Sequence, residues 1–322
     1  MIPDTKAAPR VSLGLPVYNG EKYLAEAIDS ILAQDFRDFE LLIVDNASTD
    51  RTAEICQAYA AADNRIRYYR NEHNLGAFGN FNRAFELRSG EFFKWCASDD
   101  KISPNFIGAC VAALDADPDA VLAYSTTESI DENGNAIPLI GGMMAEKKDP
   151  RPARRYRSVL KDRGGCTEVF GLFRSSALAR SSLHRPYYGS DFALLAETAI
   201  IGKLVQAPEA VLYNREHPER SVNIKDKKAR VLWQSANASK RSSLEHMQLA
   251  MHLFEIAYGY RREAPLVMTG LSTLAYVMKP VQLSRYTLEI IGLVLPGFSG
   301  HLRSAGWSIV NALRPQRKSV RD

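Results

Sequence analysis

The 322-residue sequence lacks most of the short signatures that would settle its chemistry at once. Its four cysteines, Cys56, Cys96, Cys110 and Cys166, have no C-x-x-C spacing and lie in apolar surroundings. That pattern argues against a metal or dithiol redox site and for buried, reduced thiols. No apolar run reaches the ~18–20 residues needed to span a bilayer. The longest uncharged stretch, 264–278, is interrupted by Thr, Ser and Gly and ends at Lys279-Pro280. The opening MIPDTKAAPR lacks the apolar core of a signal peptide. A strong charge of one sign is missing too: 41 Lys and Arg stand against 37 Asp and Glu, a net +4, too little to argue for a nucleic-acid partner. Around the first strand-like segment only Gly14 and Gly20 occur, so the G-x-G-x-x-G fingerprint of nicotinamide and flavin sites is absent. No G-x-x-x-x-G-K-[ST] phosphate loop and no G-x-S-x-G elbow appear either. The expectation is a cytoplasmic protein, at most peripheral to a membrane.

What is present is alternation. Residues 11–17, 39–46, 65–70, 91–97 and 120–125 read as strands, several with the continuous apolar character of strands buried on both faces. Between them, 21–34, 48–62, 76–90 and 103–119 read as helices, the third closed by Gly90 and the fourth capped by Ser103 ahead of Pro104. This spacing predicts a mostly parallel, Rossmann-like α/β sheet flanked by helices. After residue 125 the pattern changes. A hairpin is expected around 132–135 and a mobile loop over 141–157. A helix is expected over 191–201, then a strand through Val211-Leu212-Tyr213. A predominantly helical extension is expected from 225 to 322.

Ligands of such sheets bind beyond the carboxyl ends of the strands, and the polar residues fall there. Pro16-Val17-Tyr18-Asn19 follows the first strand, Asp45-Asn46 the second, Asn71 to Asn74 the third and Asp99-Asp100 the fourth. Asp45 and Asp50 also suit helix caps. The adjacent pair Asp99-Asp100 suits either a solvated turn or a hard cation, Mg²⁺ or Mn²⁺, which takes one or two carboxylates together with phosphate oxygens.

The stretches VSLGLPVYNGEKYLAEAIDSILAQDFRDFELLIVDNASTDRT and NLGAFGNFNRAFELRSGEFFKWCASDD resemble family 2 glycosyltransferases, over roughly residues 9–222. The resemblance implies a glycosyltransferase A-type fold with a catalytic domain over 1–224. Residues 9–125 would be its nucleotide-binding half and 126–224 its acceptor half. It implies that Pro16, Tyr18 and Asn19 line the nucleobase and ribose pocket, that Asp45 hydrogen-bonds the base, and that Asn74, Gly76 and Asn80 surround the nucleotide. Asp99 and Asp100 fall on the acids for metal and ribose. Many relatives carry a further acid where this chain has Ala97. YYGSDFALLAETAIIGKLVQAPEAVLYNREHPERSV resembles the acceptor side, with Asp191 on the general base, Ser190 where a Glu often stands, and His217 and Arg220 near the diphosphate or metal. Arg174 is expected to support the acceptor half.

The implied reaction is an inverting, metal-assisted transfer from a nucleotide-diphosphate sugar to a hydroxyl of a glycan or lipid-linked acceptor, in bacterial polysaccharide assembly. The competing readings are a nucleotidyltransferase, which would want a glycine-rich loop where PVYNGEKYL stands, and a non-catalytic membrane-associated scaffold. The helices after 225, with Arg261, Arg262, Lys279, Arg285, Trp307 and a basic end, fit either the cytoplasmic face of the inner membrane or packing on the catalytic core.

Overall fold

The computed structural model describes residues 8–162, 164–224, 226–235 and 244–294. The first elements are β1 (Val11–Val17), α1 (Leu24–Leu32), β2 (Phe39–Asp45), α2 (Thr52–Ala62), β3 (Ile66–Arg70), α3 (Ala77–Glu86) and β4 (Phe92–Trp95). β1 and β2 are buried along their whole length, as strands between two helical layers must be. α1 buries one stripe, Leu24, Ala27, Ile28 and Ile31, the pattern of a surface helix.

Two expected boundaries shift. α3 ends at Glu86, short of Gly90. Gly90 instead lies tight against β1, its N–H donating to Ser12 Oγ at 2.8 Å, where a Cβ would come within 2.7 Å of the Ser12 nitrogen. After the short β5 (Lys101–Ile102), α4 (Phe106–Ala116) starts without a side-chain cap from Ser103. That hydroxyl donates to Asn105 Oδ1 (2.7 Å) and accepts the Val211 N–H (3.0 Å), tying the turn to a later strand.

The chain continues through β6 (Ala120–Ile130), β7 (Ala136–Ile137), α5 (Pro152–Lys161), β8 (Leu172–Arg174), α6 (Ser175–Leu178), α7 (Ser190–Ile201) and β9 (Lys203–Arg215). It ends in α8 (Lys227–Gln234), α9 (Glu245–Gly259), α10 (Leu266–Val277) and α11 (Pro280–Val294). The strands form one sheet in the order β3-β2-β1-β4-β8-β6-β9-β5, with β7 folded onto β6 as the expected hairpin. β3, β2, β1 and β4 are parallel; β8 is antiparallel to both its neighbours; β6 and β9 are parallel to each other. Two reversals through β8 restore the original direction, so β1, β2, β3, β4 and β9 all end on one edge. α7 passes directly into β9 through Gly202, so it runs back from that edge and its N-terminus lies there.

The stretch 141–157 is anchored, contrary to the mobile loop expected. Met144 C=O accepts from Tyr124 Oη (3.0 Å), Lys147 pairs with Asp162 (2.7 Å), and α5 begins at Pro152. Its Arg-rich start conceals a buried residue. Arg155 donates to the Ala199 and Ile200 carbonyls at 2.7 and 3.0 Å, satisfying the C-terminal orphans of α7. The helical extension is also present. Leu249, Leu253 and Ile256 of α9, with Ala264, join Tyr156, Ala193 and Leu194 in one apolar cluster. Trp307 and the basic end lie outside the described residues. Among those described, no helix is long and apolar enough to cross a membrane.

Candidate active site

The polar groups beyond β2 and β3 form one network with Asn46 at its hub. Asn46 Oδ1 accepts from Leu75 N–H (2.8 Å) and Asn71 Nδ2 (3.1 Å), while its Nδ2 donates to Asn74 Oδ1 (2.9 Å) and Gly76 C=O (3.2 Å). Asn80 is buried below, donating to Val44 C=O (2.8 Å) and accepting from Asn71 (2.8 Å). Its amide is therefore taken up in holding the strand ends. Gly76 has φ +76°, and a Cβ would meet Ser235 Cα at 2.6 Å and Gln234 C=O at 2.7 Å. Only glycine suits both the left-handed backbone and this approach of α8.

Asp45 is fully buried, accepting from Ser48 N–H and Tyr68 Oη, both at 2.8 Å. Burial, and then this carboxylate, push the Tyr68 phenol upward. Asn19, at φ +50°, donates its N–H to Ser48 Oγ (2.9 Å) and accepts from Thr49 N–H (2.8 Å). Tyr18 is exposed beside it, and Pro16 is buried at the end of β1. A proline is tolerated there because the β1–β4 pairing stops at Gly14 and Trp95, so Pro16 has no ladder bond to lose.

The acidic pair lies beyond β4, where the end of β9 reaches it. His217 Nε2 hydrogen-bonds Asp99 Oδ2 at 3.0 Å, and Asp100 Oδ1 accepts the Arg215 N–H at 2.8 Å. The Arg215 guanidinium is wholly buried. It donates to Asp99 C=O (2.8 Å), Glu132 C=O (3.0 Å) and Glu26 (2.8 Å) and lies over the Tyr23 ring at 4.6 Å. The sequence reading named His217 and Arg220 but missed Arg215. The available signal was an arginine closing the apolar strand AVLYNR. Arg220 itself is engaged by Glu216 and by Asn214 Oδ1 (3.1 Å), and it reaches Asp100 only through its charge.

Burial first, and then the neighbouring Asp99, push the Asp100 carboxyl up to about 7. A small cavity of about 10 Å³ lies behind it, lined by Lys94, Cys96, Ala97 and Asp100 among others. A buried carboxyl raised by burial and by a neighbouring acid fits a cation. His217 Nδ1 adds a buried nitrogen with no hydrogen-bond partner. Among the described residues no group of three His, Cys, Asp or Glu assembles to hold an ion unaided. The donor set therefore suits Mg²⁺ or Mn²⁺ completed by phosphate oxygens and water.

Asp191 begins α7 on the same sheet edge. It keeps part of its surface in solvent, yet burial pushes its carboxyl upward, with its own backbone N–H opposing. Among the described residues no hydrogen bond joins it to Asp99, Asp100 or His217. Ser190 turns inward and accepts the Arg185 N–H at 2.6 Å. Arg174 is structural, donating to Ala120 and Leu114 carbonyls at 2.9 and 2.6 Å. One group sequence reasoning overlooked is His184, packed against Trp95 (4.8 Å between rings), Phe81 (5.4 Å) and Phe78 (5.6 Å). Neither of its ring nitrogens has a partner, and burial brings its pKa down to about 3.

Comparison with known proteins finds glycosyltransferases. An uncharacterized glycosyltransferase of Rickettsia typhi is 28% identical over 219 residues, covering 67% of each chain. A Campylobacter jejuni protein, the GalNAc(5)-diNAcBac-PP-undecaprenol beta-1,3-glucosyltransferase, is 28% identical over 187 residues, 58% of each chain. Among solved structures, residues 1–349 of Staphylococcus aureus TarS bound to UDP-GlcNAc superpose with a TM-score of 0.54 at 16% identity, covering 95% of this chain and 89% of that one. The mannosyltransferase PcManGT of Pyrobaculum calidifontis, with GDP-Man and Mn²⁺, gives 0.50 at 17% identity, covering 95% and 81%. The sheet, with its helical layers and C-terminal helices, is thus that of the glycosyltransferase A-type enzymes. The family model for glycosyl transferase family 2 matches residues 12–181, just over half of the sequence, and the chain belongs to that family.

Proposed function

We propose that this glycosyltransferase moves a sugar from a nucleotide-diphosphate donor to a hydroxyl of a glycan or lipid-linked acceptor, in one inverting displacement. Residues 1–224 form the catalytic domain on this reading, 9–125 binding the nucleotide and 126–224 the acceptor, with 225–322 as a helical extension. The observation that carries the reading is the meeting of Asp99, Asp100 and His217 on the sheet edge from which α7 presents Asp191. The relatives support the substrate classes. Solved neighbours hold UDP-GlcNAc or GDP-Man with Mn²⁺, and the Campylobacter relative is named for an undecaprenol-linked acceptor.

On this reading Pro16, Tyr18 and Asn19 flank the nucleoside, Asp45 addresses the base, and Asn74, Gly76 and Asn80 shape the surrounding loop. A divalent cation at Asp99 and Asp100 would neutralise charge on the departing diphosphate. His217 steadies Asp99, and Arg220 contributes positive charge beside the pair. The acceptor hydroxyl oxygen forms a bond to the anomeric carbon as the bond from that carbon to the diphosphate oxygen breaks. The electron pair leaves with the nucleoside diphosphate, and the hydroxyl proton passes to the Asp191 carboxylate. An elevated carboxyl pKa suits a base working near neutral pH. The extension brings the enzyme to the cytoplasmic face of the membrane as a peripheral protein, where a lipid-linked acceptor would be met.

The test is Asp191→Asn, assayed on a panel of UDP- and GDP-sugars with Mn²⁺ or Mg²⁺. Transfer should fall by roughly 10²–10⁴-fold, while calorimetric binding of the donor nucleotide stays within about twofold of the parent. Transfer within tenfold of the parent would remove Asp191 from the role.

A further inference from the structure

α10 and α11 are turned inside out relative to an ordinary surface helix. α10 buries Thr269 and Thr273 completely, while Val267 is 72% exposed, Leu271 61% and Met278, just past its end, 55%. α11 buries Gln282 and Glu289 and leaves Leu283, Ile290, Leu293 and Val294 in solvent. The inner polar groups pin both rotations. Thr273 Oγ1 hydrogen-bonds Tyr156 Oη at 2.7 Å. Glu289 takes the N–H groups of His246 and Met247 at 2.8 and 3.1 Å, capping the start of α9, and holds His246 Nδ1 at 2.7 Å. Rolling either helix to hide its apolar side would strand these groups without partners, at a cost comparable to what the burial returns.

We propose that the outer face of α10 and α11 is a docking surface for an anionic bilayer, with both helices lying in the plane of the headgroups. The lengths fit. At 12 and 15 residues the helices run about 18 and 22 Å, too short for a ~30 Å hydrocarbon core but suited to interfacial insertion. The charge fits as well. The described chain stops at Val294 on this face, and the 28 residues beyond it carry Arg303, Arg314, Arg317, Lys318 and Arg321 against Asp322. Their net charge equals the +4 of the whole protein, so the excess positive charge is attached where the apolar face ends. Arg261 and Arg262 stand exposed between α9 and α10. An anionic headgroup layer over an apolar interior is the partner that answers both features. The assignment rests on and deepens the peripheral contact proposed above; flotation itself is read without donor or acceptor, so its failure removes that contact and leaves the transfer chemistry standing.

The experiment is flotation of the full chain with phosphatidylglycerol-containing vesicles and with pure phosphatidylcholine vesicles. The parent should float with the anionic vesicles, several-fold more than with the neutral ones. The double variant Val267→Asp/Leu271→Asp should partition roughly tenfold less or weaker, with unchanged melting temperature and donor-sugar hydrolysis. Val267→Ser/Leu271→Ser is the gentler version if the acids disturb the fold. A parent that stays with the soluble fraction overturns the proposal, as does a double variant that floats equally well. A concentration-dependent dimer in analytical ultracentrifugation, dissociated by the same substitutions and indifferent to vesicles, would make a second copy of this chain the occupant instead.

Discussion

Arg215→Met is the perturbation that tests the site's construction most directly. The parent guanidinium is completely buried and donates to the main-chain carbonyls of Asp99, Glu132 and, at 3.5 Å, Asp131, and to Glu26. Removing one partner from a buried charged constellation costs ~3–5 kcal/mol. Glu26 is nearly half exposed and can rehydrate, so the low end applies, about 3 kcal/mol. The Asp100 carboxylate is held by the main-chain N–H of residue 215, which survives the substitution. What is lost is the anchor on Asp99, and with it the angle between the two acids. Urea unfolding should therefore show a drop of about 3 kcal/mol, and the Mn²⁺ concentration for half-maximal donor hydrolysis should rise about tenfold or more. Arg215→Lys should recover part of the stability but little of the metal response, because one ammonium cannot reproduce the planar fork. The reasoning is refuted if Arg215→Met unfolds within about 0.5 kcal/mol of the parent with an unaltered metal requirement.

Other perturbations separate local roles. His184 stays neutral in the fold, with a pKa near 3 against 6.5 in the unfolded chain. Between those values the unfolded state binds the extra proton, so stability falls as pH falls, by about 2 kcal/mol from pH 7 to 5. His184→Leu should remove that component of the pH slope in urea titrations; an unchanged slope would mean that the ring is not held neutral. Gly76→Ala forces a side chain into left-handed backbone against the end of α8 and should cost about 1–3 kcal/mol while weakening nucleotide binding in calorimetry. Gly259→Ala, where a Cβ would meet nothing within 4 Å, is the control expected to be neutral, and equal effects at the two positions would discard the close-approach argument.

The acids at the strand ends were legible in the sequence, because buried parallel strands announce themselves by continuous apolar runs and their next residues must lie on one edge. What holds those acids was not legible. Asp100 and Arg215 are 115 positions apart and meet only because β8 enters antiparallel between β4 and β6, returning β9 to the direction of β1. A three-residue strand such as Leu172–Arg174 leaves almost no periodic signal. Charge misled in the same way at Arg155, where a basic run hid a helix whose arginine points inward to cap α7. The C-terminal helices show the limit most sharply. Periodicity reveals that a helix has two faces, and the usual inference buries the apolar one. In α10 and α11 the decision is made instead by a few fixed hydrogen bonds, Thr273 to Tyr156 and Glu289 to the start of α9. An unsatisfied buried acid or amide costs more than an exposed leucine, and an exposed leucine can still be covered from outside. Directional groups therefore set the rotation of these helices, and the apolar face is left for whatever the protein meets.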